Sequence, residues 1–183
     1  MSKKLAAVSG GPDSMALLNK YQNDICAVCH VNYQKRKTAN RDEKIVKDFC
    51  KTHKIDLYIK KVNKSDYEKS DSSNFQDSAR KIRYNFFKQI ANKLNCHSIY
   101  VAHNKDDFIE TAYRQIQRNS SSLFYGIKKN NEIDGLKIIR PLIDIRKNDL
   151  QEYCDKHNIQ YGIDETNFSD IYERNKIRKI IAN

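Results

Sequence analysis

With 183 residues the chain is long enough for one well-filled α/β domain and short for two separate cores. Lys and Arg number 34 against 23 Asp and Glu, a net charge of +11 spread along the chain, which suits an anionic partner, nucleic acid ahead of lipid; a biased genome rich in Lys, Asn and Ile yields the same excess. No apolar stretch nears the roughly 20 residues that cross a bilayer, so a cytoplasmic location is expected.

The first strand-like run, residues 5–8, leads straight into Ser9-Gly10-Gly11-Pro12-Asp13-Ser14 and then a helical pattern at Met15-Ala16-Leu17-Leu18. A strand that ends in serine and two glycines and enters a helix leaves several backbone N–H groups around one concavity, which suits a pyrophosphate. Gly10 and Gly11 permit close approach of a ligand to the main chain, the Ser9 and Ser14 hydroxyls add hydrogen bonds, and Asp13 is placed to face a cation. With no Gly-Lys-Ser/Thr following, the pattern is not a Walker loop, nor is it the dinucleotide fingerprint.

Strand-like runs at 25–31, 55–62 and 98–102 alternate with helical patterns at 42–53, with Ile45, Val46, Phe49 and Cys50 on one face, and at 75–94, with Ala79, Ile82, Phe86, Phe87 and Ile90 likewise. A fifth strand is expected at 135–141, where Arg140-Pro141 stops the ladder, followed by helices at 146–157 and 170–181. The alternation predicts an α/β fold: an open, mainly parallel five-stranded sheet with helices on both faces and a short helical C-terminal extension. Residues 63–74 and 118–131 are polar and read as loops. The five cysteines, odd in number and set in apolar or helical patterns, read as reduced, packed thiols. Cys26 and Cys29 lie three apart within a strand run, where alternation sends them to opposite faces and keeps them from sharing a metal.

In an open sheet of this type, ligands bind beyond the carboxyl ends of the strands, so the glycine turn, His30-Val31-Asn32 and Ala102-His103-Asn104 are expected to converge on one pocket. The segment from His103 to Thr111 opens a helix there, with Asp106, Asp107 and Glu110 close together near its N-terminus. Such a cluster can hold a cationic amine or a metal; equally, Asn104 can cap the helix with Asp107 reciprocating, since first-turn acids are favoured by the dipole. Arg80 and Arg83 stand one turn apart, and Arg174 and Arg178 are i,i+4, spacings that fit phosphates or a solvated face.

Taken together in order and spacing, residues 9–14, residues 103–111, Ala79-Arg80-Lys81-Ile82-Arg83-Tyr84, Arg140-Pro141-Leu142 and Arg174-Asn175-Lys176-Ile177-Arg178 resemble the N-terminal catalytic domain of the tRNA(Ile)-lysidine synthetases, PP-loop ATP pyrophosphatases. The resemblance implies a catalytic nucleotide-binding domain over 1–145 with 146–183 as a helical extension, and relatives continue beyond it into further helices and a tRNA-binding region. It implies that ATP activates C2 of the wobble cytidine in a CAU-anticodon tRNA and that free lysine then displaces AMP. Residues 9–14 and Arg80 would hold ATP with Mg²⁺ at Asp13; Asp106, Asp107 and Glu110 would take the lysine, with His103 in the same pocket; Arg83, Arg174 and Arg178 would meet tRNA. Pairing into a homodimer is a further expectation from relatives. Against the family pattern, Tyr33 stands for a second histidine, Gln76 for glutamate, Phe108 for glutamine, Asn119 for the glycine after Arg118 and Thr166 for a serine. A PP-loop thiolase and a non-catalytic nucleotide-binding module are the rival readings; the first asks for site cysteines, and the second leaves the acidic helix start and the arginines without a task.

Overall fold

The computed structural model describes residues 3–68 and 74–163. The predicted helix at 170–181, with Arg174 and Arg178, lies outside the described residues. Six strands form one sheet in the order β3-β2-β1-β4-β6-β5: β1 Lys4–Ala7, β2 Ile25–Asn32, β3 Asp56–Lys61, β4 Ser98–Val101, β5 Asn130–Ile133 and β6 Leu136–Ile139. All neighbours are parallel except β5 and β6. The helices are α1 Pro12–Tyr21, α2 Ala39–Thr52, α3 Lys64–Glu68, α4 Phe75–Lys93, α5 Lys105–Gln117 and α6 Lys147–Lys156.

The central strands are buried on both faces, which is why they read as apolar runs and not as alternation. On one face Val8 and Val28 meet Met15, Leu17 and Leu18 of α1, Val46 of α2 and Leu150 of α6. On the other, Leu5, Ile99 and Ile138 meet Phe86, Phe87 and Ile90 of α4. A Tyr153 hydroxyl bond to Asn19 Oδ1 at 2.7 Å ties α6 to α1 within the first cluster.

Three expectations are corrected. The sheet has a sixth strand, because Asp134-Gly135 is a two-residue hairpin turn with φ of 49° and 82° that pairs polar residues 130–133 antiparallel with β6. The stretch 63–74, expected as loop, contains the short α3. Cys26 and Cys29 do not diverge: Lys4 pairs with Ile25 and Leu5 with Ala27, so one residue of β2 bulges. The bulge turns Cys26 toward the same cluster as Cys29, where its Sγ lies 3.0 Å from Cys96 Sγ.

With only five glycines in the chain, helix ends use other residues in the left-handed region. Lys54, Asn95, Asn119 and Asn158, at φ of 47° to 54°, each follow a helix, and the next amide reaches back to a carbonyl five residues earlier, as Ser120 N does to Gln115 O at 3.0 Å. Asn119 can thus replace the glycine of the family pattern, asparagine being the best tolerated of the alternatives at that conformation.

Candidate active site

Strands β1 and β4 are neighbours at the point where strand order reverses, and the turns that follow them into α1 and α5 open the same crevice. A cleft of about 790 Å³ lies there, its wall including Ser9, Ser14, His30, Asn32, Arg80 and His103. The three strand ends expected to converge do so.

The turn before α1 is organised by one hydroxyl. Ser14 Oγ accepts from the Ser9 and Gly10 amides at 3.1 Å each and donates to the Gly11 carbonyl at 2.9 Å. Gly11 caps α1 without a side-chain hydrogen bond and Pro12 occupies the first turn, so the helix N-terminus keeps its partial positive charge facing outward. Gly10 has φ of +92°, and a Cβ there would meet the Asp42 carbonyl oxygen at 2.8 Å; its own carbonyl accepts from Gly162 N at 2.8 Å. Position 10 therefore requires glycine on two counts, conformation and contact.

Asp13 and the start of α5 face each other. Asp13 Oδ1 and Asn104 Nδ2 are both buried, and Asn104 acts on the Asp13 carboxyl as a hydrogen-bond donor without reaching well-formed hydrogen-bond geometry. Burial lifts the Asp13 carboxyl from 3.8 to about 6; Lys147 and the Asn104 amide pull it down, while Asp107 and Asp106 push it up. Four side chains from two other helix starts, α5 and α6, thus share one electrostatic neighbourhood with Asp13. Sequence reasoning missed Lys147: no motif marks a lysine at the start of a distant helix, and only the docking of α6 on α1 brings it in.

The three carboxylates of α5 are placed as follows. Asp107 closes a capping box: its Oδ2 accepts from Asn104 N and its own amide donates to Asn104 Oδ1, both at 3.0 Å. Asp106 Oδ2 accepts from Lys147 N at 2.8 Å, and its Oδ1 lies 3.4 Å from Arg146 Nη1, pinning the start of α6. Glu110 pairs with Arg114 at 2.7 Å along the helix. All three sit at one helix start with structural partners.

The opposite wall is cationic. Tyr33, where the family pattern has a second histidine, donates from its hydroxyl to Ala79 O and accepts from Arg83 Nε, at 3.0 Å in both cases, latching β2 to α4. Arg80 stacks over Tyr84 at 4.8 Å. His103 accepts at Nδ1 from Arg140 Nε at 3.0 Å, and burial followed by Arg140, Arg83 and Arg80 lowers it to about 4. The ring of His103 therefore stands with the arginines. Arg140, just beyond β6 and 4% exposed, is a site residue that sequence reasoning quoted in a motif but gave no role. Phe108 packs against Phe124, their centroids 6.3 Å apart, and a side chain at Gly126 would collide with it. Of the cysteines, Cys29 reaches the cleft wall, its thiol pushed by burial to about 12; Cys26 and Cys96 sit at the amino-terminal ends of β2 and β4, away from the cleft.

This architecture, a mainly parallel sheet with a glycine-serine turn at its switch point, is that of a PP-loop domain, and the family model described as a PP-loop domain matches residues 1–183. The chain belongs to that family. It is 55% identical over 181 residues to the tRNA(Ile)-lysidine synthase of Ureaplasma parvum, covering 98% of this chain and 54% of that protein. Its identity to the tRNA(Ile)-lysidine synthase of Malacoplasma penetrans is 46%, covering 98% of this chain and 61% of that protein. The chain thus spans between half and two thirds of these relatives. Among solved structures it resembles the U34-tRNA thiolase NcsA from Methanococcus maripaludis with its [4Fe-4S] cluster, at a TM-score of 0.75 and 18% identity over 98% of this chain and 65% of that one. It also resembles the NMN synthetase from Francisella tularensis, at a TM-score of 0.57 and 14% identity over 86% of this chain and 62% of that one. These two likenesses concern the fold. No helix among the described residues is long and apolar enough to cross a membrane.

Proposed function

We propose that this chain supplies the catalytic domain of a tRNA(Ile)-lysidine synthase, which adenylates C2 of the wobble cytidine in a CAU-anticodon tRNA with ATP and then joins free L-lysine to it. The carbonyl oxygen at C2 attacks the α-phosphorus and pyrophosphate leaves; the lysine ε-amine then adds at C2 and AMP leaves. The single observation that carries the reading is the meeting of Asp13, at the start of α1 beside the turn at residues 9–14, with the start of α5, where Asp107, Asn104 and Asp106 all act on its carboxyl.

The residues fit ATP with Mg²⁺. The uncapped start of α1, the close turn at Gly10 and the Ser9 and Ser14 hydroxyls suit the leaving pyrophosphate, and Arg80 offers a cation from α4. Asp13 would hold Mg²⁺, whose charge would offset that of the leaving group. On the other side, Asp107 and Glu110 would receive the lysine ammonium and accept its proton, with Asp106 holding α6 in register. Arg83, and Arg174 and Arg178 beyond the described residues, would meet tRNA phosphates, consistent with the +11 charge. A cytoplasmic site of action goes with that substrate.

The test is direct. The protein is mixed with ATP, Mg²⁺, radiolabelled lysine and an unmodified CAU-anticodon tRNA, and label in RNA is expected. AMP and pyrophosphate formed with tRNA but without lysine incorporation would point to another nucleophile and overturn the proposal.

A further inference from the structure

The cleft contains a buried histidine, His30, and a half-buried one, His103, whose ring nitrogens are fixed by partners of opposite kind. His30, 2% exposed, has Nδ1 at 2.8 Å from the Val8 carbonyl. A carbonyl only accepts, so Nδ1 carries the proton and Nε2 is a bare acceptor. That Nε2 is buried on the cleft wall and has no partner among the described residues. At His103 the logic inverts. Arg140 Nε, 3.0 Å from Nδ1, only donates, so Nδ1 is the acceptor and the proton resides on Nε2.

We propose that the cleft reads its ligand with two neutral histidines held in opposite tautomers, His30 offering an acceptor and His103 a donor, and that Arg140 is the positioning residue that sets the second. The complementary ligand presents an N–H or O–H to His30 and an anionic phosphate oxygen to His103, the chemistry of a nucleoside phosphate. The identity of that ligand rests on the nucleotide reading above; the tautomers do not.

The geometry that fixes Arg140 is independent of His103. Its amide donates to Lys129 O at 2.9 Å and its Nη1 to Lys128 O at 2.7 Å and Asn131 Oδ1 at 2.5 Å. The guanidinium is therefore anchored by the β5 edge and has Nε left for the ring. The surroundings keep both rings neutral. Burial opposes a second proton on His103, as do the cations facing it, Arg140 from just beyond β6 and Arg83 and Arg80 from α4. Facing His30 are Glu43 and Asp42, which favour the proton, and Lys47, which opposes it; burial outweighs them and its pKa is lowered. The lowered proton affinity makes His103 a weak base, and with its proton on Nε2 it meets charge as a donor.

Histidine-selective ¹⁵N labelling of the chain and long-range ¹H–¹⁵N correlation spectra report tautomer and charge, with the two rings assigned from H30Q and H103Q. The expected result is a proton on Nδ1 of His30 and on Nε2 of His103, with His103 not titrating down to about pH 5.5 and His30 titrating below the ordinary 6.5. Two rings in the same tautomer, or His103 titrating near the ordinary 6.5, overturn the proposal. Arg140→Met should release His103 into a tautomer mixture, and an unchanged signature removes Arg140 from the role. Because that variant also strips partners from the β5 hairpin, a second pair is read at His103 itself. His103→Gln keeps an N–H where Nε2 stands and should hold ATP affinity within about threefold, whereas His103→Leu should lose about tenfold or more. Equal losses overturn the donor assignment. Addition of ATP should shift the His103 Nε2 proton; a response to tRNA alone would move the acceptor to the RNA backbone, and no response to either would overturn the phosphate acceptor while the measured tautomers still decide the lock.

Discussion

The turns that lead into α1 and α5 occupy equivalent places, each following a central strand at the switch point, yet they treat their helix starts in opposite ways. Before α5, Asn104 and Asp107 close a reciprocal capping box, so the helix start is satisfied from within. Before α1, glycine stands at the cap, proline follows, and no side chain caps the helix; the first-turn carboxylate, Asp13, turns to Asn104 of the other turn. A helix start that satisfies itself is a scaffold. Under the proposed function the open start is the receptor for the nucleotide, and here the scaffold holds its amide, Asn104 Nδ2, toward that receptor.

The largest effect should come from closing the receptor. Gly10→Ala forces a side chain into a left-handed residue and against the Asp42 backbone, where the nearest atom is 2.8 Å away. Chemical denaturation should register a loss of about 3 kcal/mol or more, and AMP formation should be absent. Gly135→Ala is the control, since φ is also positive at +82° but nothing lies within 4 Å of the added Cβ. It should cost only about 1 kcal/mol and leave AMP formation intact. Equal destabilisation by the two would mean that the contact with Asp42 contributes nothing.

Asp13→Asn should act in the opposite direction on stability. In the folded chain burial lifts the carboxyl from 3.8 to about 6, so between those values the folded state holds a proton that the unfolded state has released. Above that range ionisation costs the fold on the order of 3 kcal/mol. In EDTA the variant should therefore melt higher than the parent at about pH 7.5, with the gap narrowing as pH falls through 6 and closing near 3.8, while AMP formation is lost. A gap independent of pH would place the carboxylate in a different environment.

How far the two turns were legible follows from the range of the interactions that make them. Residues 9–14 and the capping box at 104–107 are local patterns, and local chemistry is written in adjacent residues. Strand β5 is hidden in the sequence because an edge strand of Asn, Asn, Glu and Ile has little apolar signature, although Asp134-Gly135 is a hairpin signal beside it. The faces of Cys26 and Cys29 were misjudged because a bulge breaks the two-residue period and leaves no mark on composition. Lys147 beside Asp13 and Arg140 beside His103 are tertiary juxtapositions across 134 and 37 positions, for which no spacing rule exists. The placement of Asp106 under the start of α6 has the same origin.

Asn104 joins the two turns, and its two roles can be separated. Asn104→Ala removes the cap and should cost about 1–2 kcal/mol along with nucleotide affinity. Asn104→Ser keeps an oxygen for the Asp107 amide but not the Nδ2 group that faces Asp13. Thermal denaturation should show most of the stability recovered in the serine variant, while ATP affinity stays as low as in the alanine variant. Recovery of both would make Asn104 a cap alone.

The smallest effect on stability is expected at Glu110, where the contrast between scaffold and receptor is sharpest. Its ion pair with Arg114 is an i,i+4 contact to a side chain 47% exposed, the kind that contributes about 0.3–0.5 kcal/mol, so Glu110→Ala should melt close to the parent. Under the proposed function the same carboxylate receives the lysine, and the two half-reactions should then separate: adenylation of tRNA, read as AMP-linked RNA in the absence of lysine, should persist while lysine transfer falls. If both fall together with stability unchanged, Glu110 serves the nucleotide half of the site, and the lysine must be held by the acids that also build the helix starts, Asp106 and Asp107.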